Sequence, residues 1–302
     1  MELRQLRYFV TVASTLNFSD AARKLFITQG TLSQQIKQLE DEMGIQLLSR
    51  SSHSVMLTEA GQELLPLAQE TIESAICCRN RMIDMRNNVG GALNVGLTYS
   101  FSNLVTDTVK KFIREYPHVK LNLQYRTASE LMEMLQAKDV DIVLAFKPFK
   151  VYDDIESEPL FRSQLSVVVR KEHPLAQRKT LNMEDITKQN IVLPSSGLQA
   201  RRAFDNFIGI DTKELNVRVE LNDPSIIMDL VQGTNLVTIV SSLAAYYRPN
   251  LIAIPFENGK YEMIGCVHRI KDGYQKRSAK LFIEMLRNSP IITHIATFQN
   301  EY

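Results

Sequence analysis

The chain has 302 residues, 44% hydrophobic and 23% charged, with a formal net charge of +1. This excludes a disordered chain and an overall field that seeks a polyanion, and it leaves room for two or three globular domains. Three cysteines, two adjacent (Cys77, Cys78) and one distant (Cys266), form no disulfide framework. No apolar run nears the roughly 18 residues of a membrane span, and charges interrupt the first ten residues, so a cytoplasmic protein is expected.

Leu3, Leu6, Val10 and Ala13 recur at helical spacing and predict a first helix ending near Asn17. Ser19 is expected to cap a very short second helix, in which Ala21 and Ala22 allow close helix approach. Phe26 and Ile27 enter a tight turn, and Thr28 caps a third helix that Gly44 ends. Leu32, Ile36, Leu39 and Met43 form its buried stripe. Thr31, Gln34 and Gln38 lie opposite, Gln35 and Lys37 flank the stripe, and Ser33 sits near the boundary. A short helix, a tight turn and a longer helix make a helix-turn-helix. The start of its second helix enters the DNA major groove, where Gln, Ser, Thr and Lys pair with base edges or phosphates. The same residues also suit a plain solvated face.

Two β-like runs, 45–48 and 55–57, flank a Ser-rich tip and predict a wing. Its Arg50 and His53 either meet a phosphate or the minor groove, or are simply exposed. Thr58 then caps a long helix reaching about Arg86, with an apolar stripe of Leu64, Ala68, Ile72, Ala75 and Met82. Roughly 30 residues give about 45 Å of helix, bent at Pro66. The stripe needs cover from a second copy or from the chain's own C-terminal domain.

From residue 89 the chain alternates. Strands at 93–97, 120–124 and 141–146 enclose helices at 103–115 and 130–136, a βαβαβ unit with a parallel sheet. A second unit places strands at 164–169, 190–193, 217–221 and 236–240, with helices at 198–207 and 226–232. A strand at 262–267 returns to the first lobe, and a helix at 278–286 packs on it. Two α/β lobes leave a cleft, the favoured ligand position. Strand ends carrying Ser100, Ser102, Thr127, Ser129, Ser195 and Ser196 precede helices. Such ends hold anions, although Ser and Thr also serve as ordinary caps.

No phosphate loop, zinc spacing or Gly-x-Ser-x-Gly elbow occurs, and the five histidines are scattered. Neither metal, cofactor nor catalysis is expected. The tail from 290 either packs on the domain or hangs free.

The stretches MELRQLRYFVTVASTLNFSDAARKL, ITQGTLSQQIKQLEDEMGIQLLSR and LTEAG resemble the N-terminus of LysR-type transcriptional regulators, and the resemblance runs through nearly the whole chain. It implies a winged helix-turn-helix at 1–58 and a linker helix at 59–88 that pairs protomers. An α/β effector domain like a periplasmic binding protein follows at 89–302, with lobe I at 89–161 and 269–302 and lobe II at 162–268. Thr28, Gln29, Thr31, Ser33, Gln34 and Lys37 fall on the family's DNA-contacting helix, with Gln35 beside them. Arg50 falls on the wing, with His53 at its tip. The family's effector positions match the strand-end hydroxyls above and add Phe146. The implied partners are double-stranded promoter DNA, a small organic anion or amphipathic acid, RNA polymerase, and further copies in a dimer or homotetramer. Three features depart from the family: Gly30 stands where Pro is common, Gln34 stands where Arg is common, and the wing's SSHS lacks a basic residue often present there. Gln34 suits adenine where Arg would favour guanine.

Overall fold

Phe9, Val12, Ala21, Leu32, Ile36 and Leu39 have no exposed surface and hold together the first unit of the chain. The computed structural model describes residues 1–50, 55–85, 89–208, 214–246, 248–257 and 261–292, and its contacts divide the chain after Asn87. The first unit holds α1 (Leu3–Thr15), α2 (Phe18–Lys24) and α3 (Gln29–Met43). Leu16 stops α1 in the left-handed region at φ 49°. The cap of α2 is Asn17, not Ser19: Asn17 Oδ1 accepts from the N–H groups of Ser19 at 2.8 Å and Asp20 at 3.1 Å. Asn17 is still extended, whereas Ser19 already lies inside the helix, so only Asn17 can reach back to those donors. Thr28 caps α3 as expected, accepting from Thr31 N–H at 3.2 Å.

The wing consists of β1 (Leu48–Arg50) and β2 (Val55–Leu57), paired antiparallel. It starts later than the expected 45–48, because Glu40 Oε1 takes the N–H groups of Leu47 at 2.9 Å and Leu48 at 3.1 Å and fastens that stretch to α3. Next comes α4 (Glu59–Met85), with Pro66 inside it. A Cβ on Gly61 would lie 2.1 Å from Leu47 O, so glycine is what lets α4 approach this closely. Ala68 is buried, and Leu64, Leu65 and Ile72 pack on the same core. The first part of the expected stripe is thus covered within this unit rather than by the C-terminal domain, while Met82 of the stripe, and Leu67 and Ile76 beside it, stay exposed.

The second unit opens with β3 (Gly91–Leu97), α5 (Ser102–Glu115), β4 (Val119–Tyr125), α6 (Ala128–Gln136) and β5 (Ile142–Phe146). β3 pairs in parallel with both β4 and β5, as the alternation predicts. β6 (Ile155–Arg170) follows, then α7 (Met183–Thr187), β7 (Ile191–Pro194), α8 (Gln199–Ile208), β8 (Val217–Leu221), α9 (Pro224–Gly233) and β9 (Thr238–Ser241). The unit closes with β10 (Leu251–Pro255), β11 (Glu262–Ile270) and α10 (Arg277–Arg287).

One sheet runs in the order β10-β6-β11-β5-β3-β4, with β9 also on β6. The 16-residue β6 therefore belongs to both lobes. Its first half is masked in the sequence by charges and by Pro159, which sits opposite Cys266 where the register shifts after Gly265; bulges tolerate proline. β10 and α7 are also absent from the sequence-based expectation. β11 pairs with β5 in the first lobe, so the chain has returned there by Glu262. A Cβ on Gly265 would stand 2.4 Å from the Phe161 ring. That ring meets Phe101 at 5.3 Å and Phe146 at 6.1 Å, making an aromatic cluster where the strands cross. Ile291 is buried, while 293–302 lie outside the described residues. No described helix is long and apolar enough to cross a membrane.

Candidate nucleic-acid interface and ligand cavity

Thr28, Gln29, Thr31, Gln34 and Lys37 are exposed along α3, and Ser33 and Gln35 are half-buried. The Thr28 and Thr31 hydroxyls bond each other at 2.8 Å. Gln35 Nε2 donates to Gln38 Oε1 at 2.8 Å, which commits that amide within the helix. Gln29, Gln34 and Lys37 make no side-chain hydrogen bond or ion pair among the described residues. Gln29, Gln34 and Lys37 thus stand exposed and uncommitted on a polar helix face, as base-edge and phosphate recognition require. Arg50 ends β1 opposite Val55. Its side chain, and His53 altogether, lie outside the described residues.

A cavity of about 410 Å³ lies within the second unit, between α8 of the second lobe and the 146–152 segment of the first. Gln199, Arg202, Ala203, Asn206 and Phe207 line it from α8; their spacing of three and four puts them on one helix face. Glu262, Met263 and Ile264 line it from β11. Gln199 Nε2 donates to Phe146 O at 2.7 Å, and Gln199 Oε1 accepts from Phe146 N–H at 3.2 Å. Arg202 Nη1 donates to Ser129 Oγ at 2.9 Å. Both residues therefore reach across the lobes. Its neighbour Arg201 turns the other way, donating to Asp205 Oδ1 at 2.9 Å and Pro194 O at 3.2 Å, and is 9% exposed.

The wall carries four rings (Phe146, Phe149, Tyr152, Phe207) and three cations (Lys147, Lys150, Arg202). Its one carboxylate, Glu262, accepts two hydrogen bonds from Arg162 Nη1, at 2.7 and 2.6 Å. That contact raises the Arg162 pKa, chiefly through the hydrogen bond and then through the charge of Glu262.

Of the predicted ligand residues, Ser129 and Phe146 line this cavity, and Ser100, Ser102, Thr127, Ser195 and Ser196 do not. Ser102 Oγ donates to Tyr99 O. Thr127 caps α6, its hydroxyl donating to Glu130 Oε2 at 2.6 Å, which holds the Glu130 carboxyl below its ordinary range. Local hydrogen bonding wins at these two positions because the partner is only three residues away. A Cβ on Gly197 would sit 3.8 Å from Thr127 Cγ2, so the Ser195–Ser196 turn does approach the first lobe there. Sequence reasoning missed Lys147, Phe149, Lys150, Gln199, Arg202 and Phe207. The polar members of the α8 face were its only signal. Among the described residues no group of His, Cys, Asp and Glu is arranged to hold a metal ion.

Residues 3–62 match the family described as bacterial regulatory helix-turn-helix protein, lysR family, and residues 86–290 match the LysR substrate binding domain. A probable RuBisCO transcriptional regulator of Phaeodactylum tricornutum is 30% identical, covering 80% of this chain and 81% of that protein. The HTH-type transcriptional activator CmpR of Synechocystis is 27% identical over 79% of this chain and 78% of its own. Among solved structures, a full-length OxyR variant from Pseudomonas aeruginosa superposes with a TM-score of 0.68 at 24% identity, covering 95% of this chain and 94% of that one. Full-length CbnR in complex with its target DNA superposes at 0.59 and 24% identity, covering 95% and 99%. These likenesses establish a common fold.

Proposed function

The chain belongs to the LysR family of DNA-binding transcriptional regulators with an effector-binding domain, and from that premise we propose how its own residues do this work. Gln29, Gln34 and Lys37 meet promoter DNA through α3: Gln34 reads a base edge, and Lys37 grips a phosphate. The observation that carries this reading is that Gln29, Gln34 and Lys37 are exposed on α3 and make no side-chain hydrogen bond or ion pair among the described residues. A small organic anion enters the cavity between α8 and the 146–152 segment and changes the angle between lobes, so that ligand and DNA affinities are reciprocally coupled.

Exposed Leu67, Ile76 and Met82 on α4 support pairing of protomers through that helix, which sets two reading helices on two half-sites. A homotetramer would span neighbouring sites, with RNA polymerase as the protein partner at the promoter. The reading is of a cytoplasmic regulator and not of an enzyme. The experiment is a footprint of the purified protein on the DNA upstream of its own gene, at near-physiological salt. A discrete protected region with dyad symmetry is expected, and the absence of protection with folded protein, with or without candidate anions, would overturn the reading.

A further inference from the structure

We propose that the cavity between α8 and the 146–152 segment takes an aromatic carboxylate, its acid group received by Arg202 and its ring packed against Phe149 and Phe207. The inference rests on the effector reading above and assigns that site its ligand class.

Charge points to an anion. Lys147, Lys150 and Arg202 line the cavity and make no ion pair with a carboxylate among the described residues, whereas Glu262 is already taken by Arg162. Lys150 Nζ instead sits 4.9 Å from the centroid of the Tyr152 ring. Arg202 is the group with direction. Its Nη1 is fixed by Ser129 Oγ from the opposite lobe, and a planar guanidinium held in place presents its remaining N–H groups as a fork for a carboxylate. Exposed lysines supply field more than fixed contacts.

The rings point to aromaticity. Phe149 lies edge-on to Phe207 at 5.7 Å and 69°, one ring from each lobe. Phe207 in turn stacks on Tyr261 at 5.8 Å and 29°. Phe149 is 57% exposed, and an arriving ring would cover it. Offset and edge-to-face contacts favour a flat aromatic over an aliphatic ring of similar size. About 410 Å³ is the volume of a small-molecule site and accommodates a one- or two-ring acid. Gln199 and Asn206 complete the polar wall, the first committed to the Phe146 backbone and the second donating to Arg202 O at 2.7 Å.

The test is isothermal titration of the full chain with benzoate, 2-naphthoate, cyclohexanecarboxylate, citrate and benzamide. Benzoate or 2-naphthoate should bind at least fivefold tighter than cyclohexanecarboxylate, and benzamide should give no heat. Arg202→Gln should weaken the aromatic acid tenfold or more, with Arg202→Lys intermediate. Phe149→Leu should erase the preference for aromatic over aliphatic acid; both positions are exposed, so the variants should fold. Equal affinity for benzoate and cyclohexanecarboxylate would overturn the proposal, as would indifference to both changes or no binding of either aromatic acid. Should citrate bind instead, with dependence on Arg202, the aromatic class falls and the effector reading survives. If no acid tested alters the operator footprint, the effector reading itself fails.

Discussion

The side chain of Gln199 satisfies both backbone groups of Phe146, donating to its carbonyl at 2.7 Å and accepting from its N–H at 3.2 Å. The reason lies in the sheet. β3 leaves β5 at Thr98, whose N–H makes the final bond, to Leu144 O. Phe146, two residues further along β5, has run past the end of β3, and an amide from the other lobe stands in for the missing strand. The contact ties the lobes together beside the cavity.

Gln199→Ala should therefore loosen the second unit. Two hydrogen bonds at about 1 kcal/mol each disappear, offset in part by water reaching Phe146. A fall of roughly 1–2 kcal/mol in unfolding free energy is expected, with faster amide exchange in peptides containing Phe146. Unchanged exchange there would show that the lobes do not depend on this bond.

His268 predicts an acid limit to stability. It has no exposed surface, and its nitrogens meet Ser157 Oγ at 2.8 Å and Ala145 O at 3.2 Å. Burial pushes its pKa down to about 4, with the bond to Ala145 opposing. The unfolded chain takes up a proton near pH 6.5, whereas the folded chain resists until about 4. Stability is thus full above the unfolded value and declines as pH falls through that window, by on the order of 3 kcal/mol. His268→Gln should flatten the melting temperature between pH 6.5 and 4 while lowering it at pH 7.5. A wild-type profile already flat across that window would refute the assignment.

Much of this architecture is legible in the sequence, for identifiable reasons. The α3 stripe of Leu32, Ile36 and Leu39 is a helical period that one buried face produces, and the βαβαβ order follows from alternating apolar runs. The misses share a different cause. Asn17 displaced Ser19 as a cap through backbone conformation, which residue type alone does not reveal. Phe26, 95% exposed at φ 55°, occupies a left-handed turn position that would ordinarily announce itself by glycine. The cavity was least legible, because it joins α8 to the 146–152 segment and to β11, far apart in the chain. Serines at strand ends advertise themselves as ligands, yet Ser102 and Thr127 satisfy local backbone and side-chain partners instead.

The three thiols should differ sharply in reactivity. Cys266 is buried on β11, and its desolvation raises its pKa to about 11, against a smaller lowering by Lys147. Only the thiolate reacts readily. Cys78 is exposed and Cys77 intermediate. At pH 8 a disulfide reagent should modify Cys78 quickly, Cys77 more slowly, and Cys266 only in denaturant. Mass spectrometry after mild peroxide should find Cys266 unmodified; its rapid oxidation in folded protein would contradict the burial argument.

Gln34 and Lys37 share α3 yet should fail differently when removed. A glutamine that reads a base edge contributes only where that base is present. Gln34→Ala should therefore cost about 1–3 kcal/mol on the operator and almost nothing on random DNA. A lysine on a phosphate contributes everywhere by releasing counterions. Lys37→Ala should weaken both DNAs alike and reduce the slope of log affinity against log salt by about 1 for the phosphate it no longer neutralises. Anisotropy titrations of both variants at several salt concentrations separate the two effects. Small, equal losses on operator and random DNA from both changes would remove base readout from Gln34 and return the face of α3 to ordinary solvated surface.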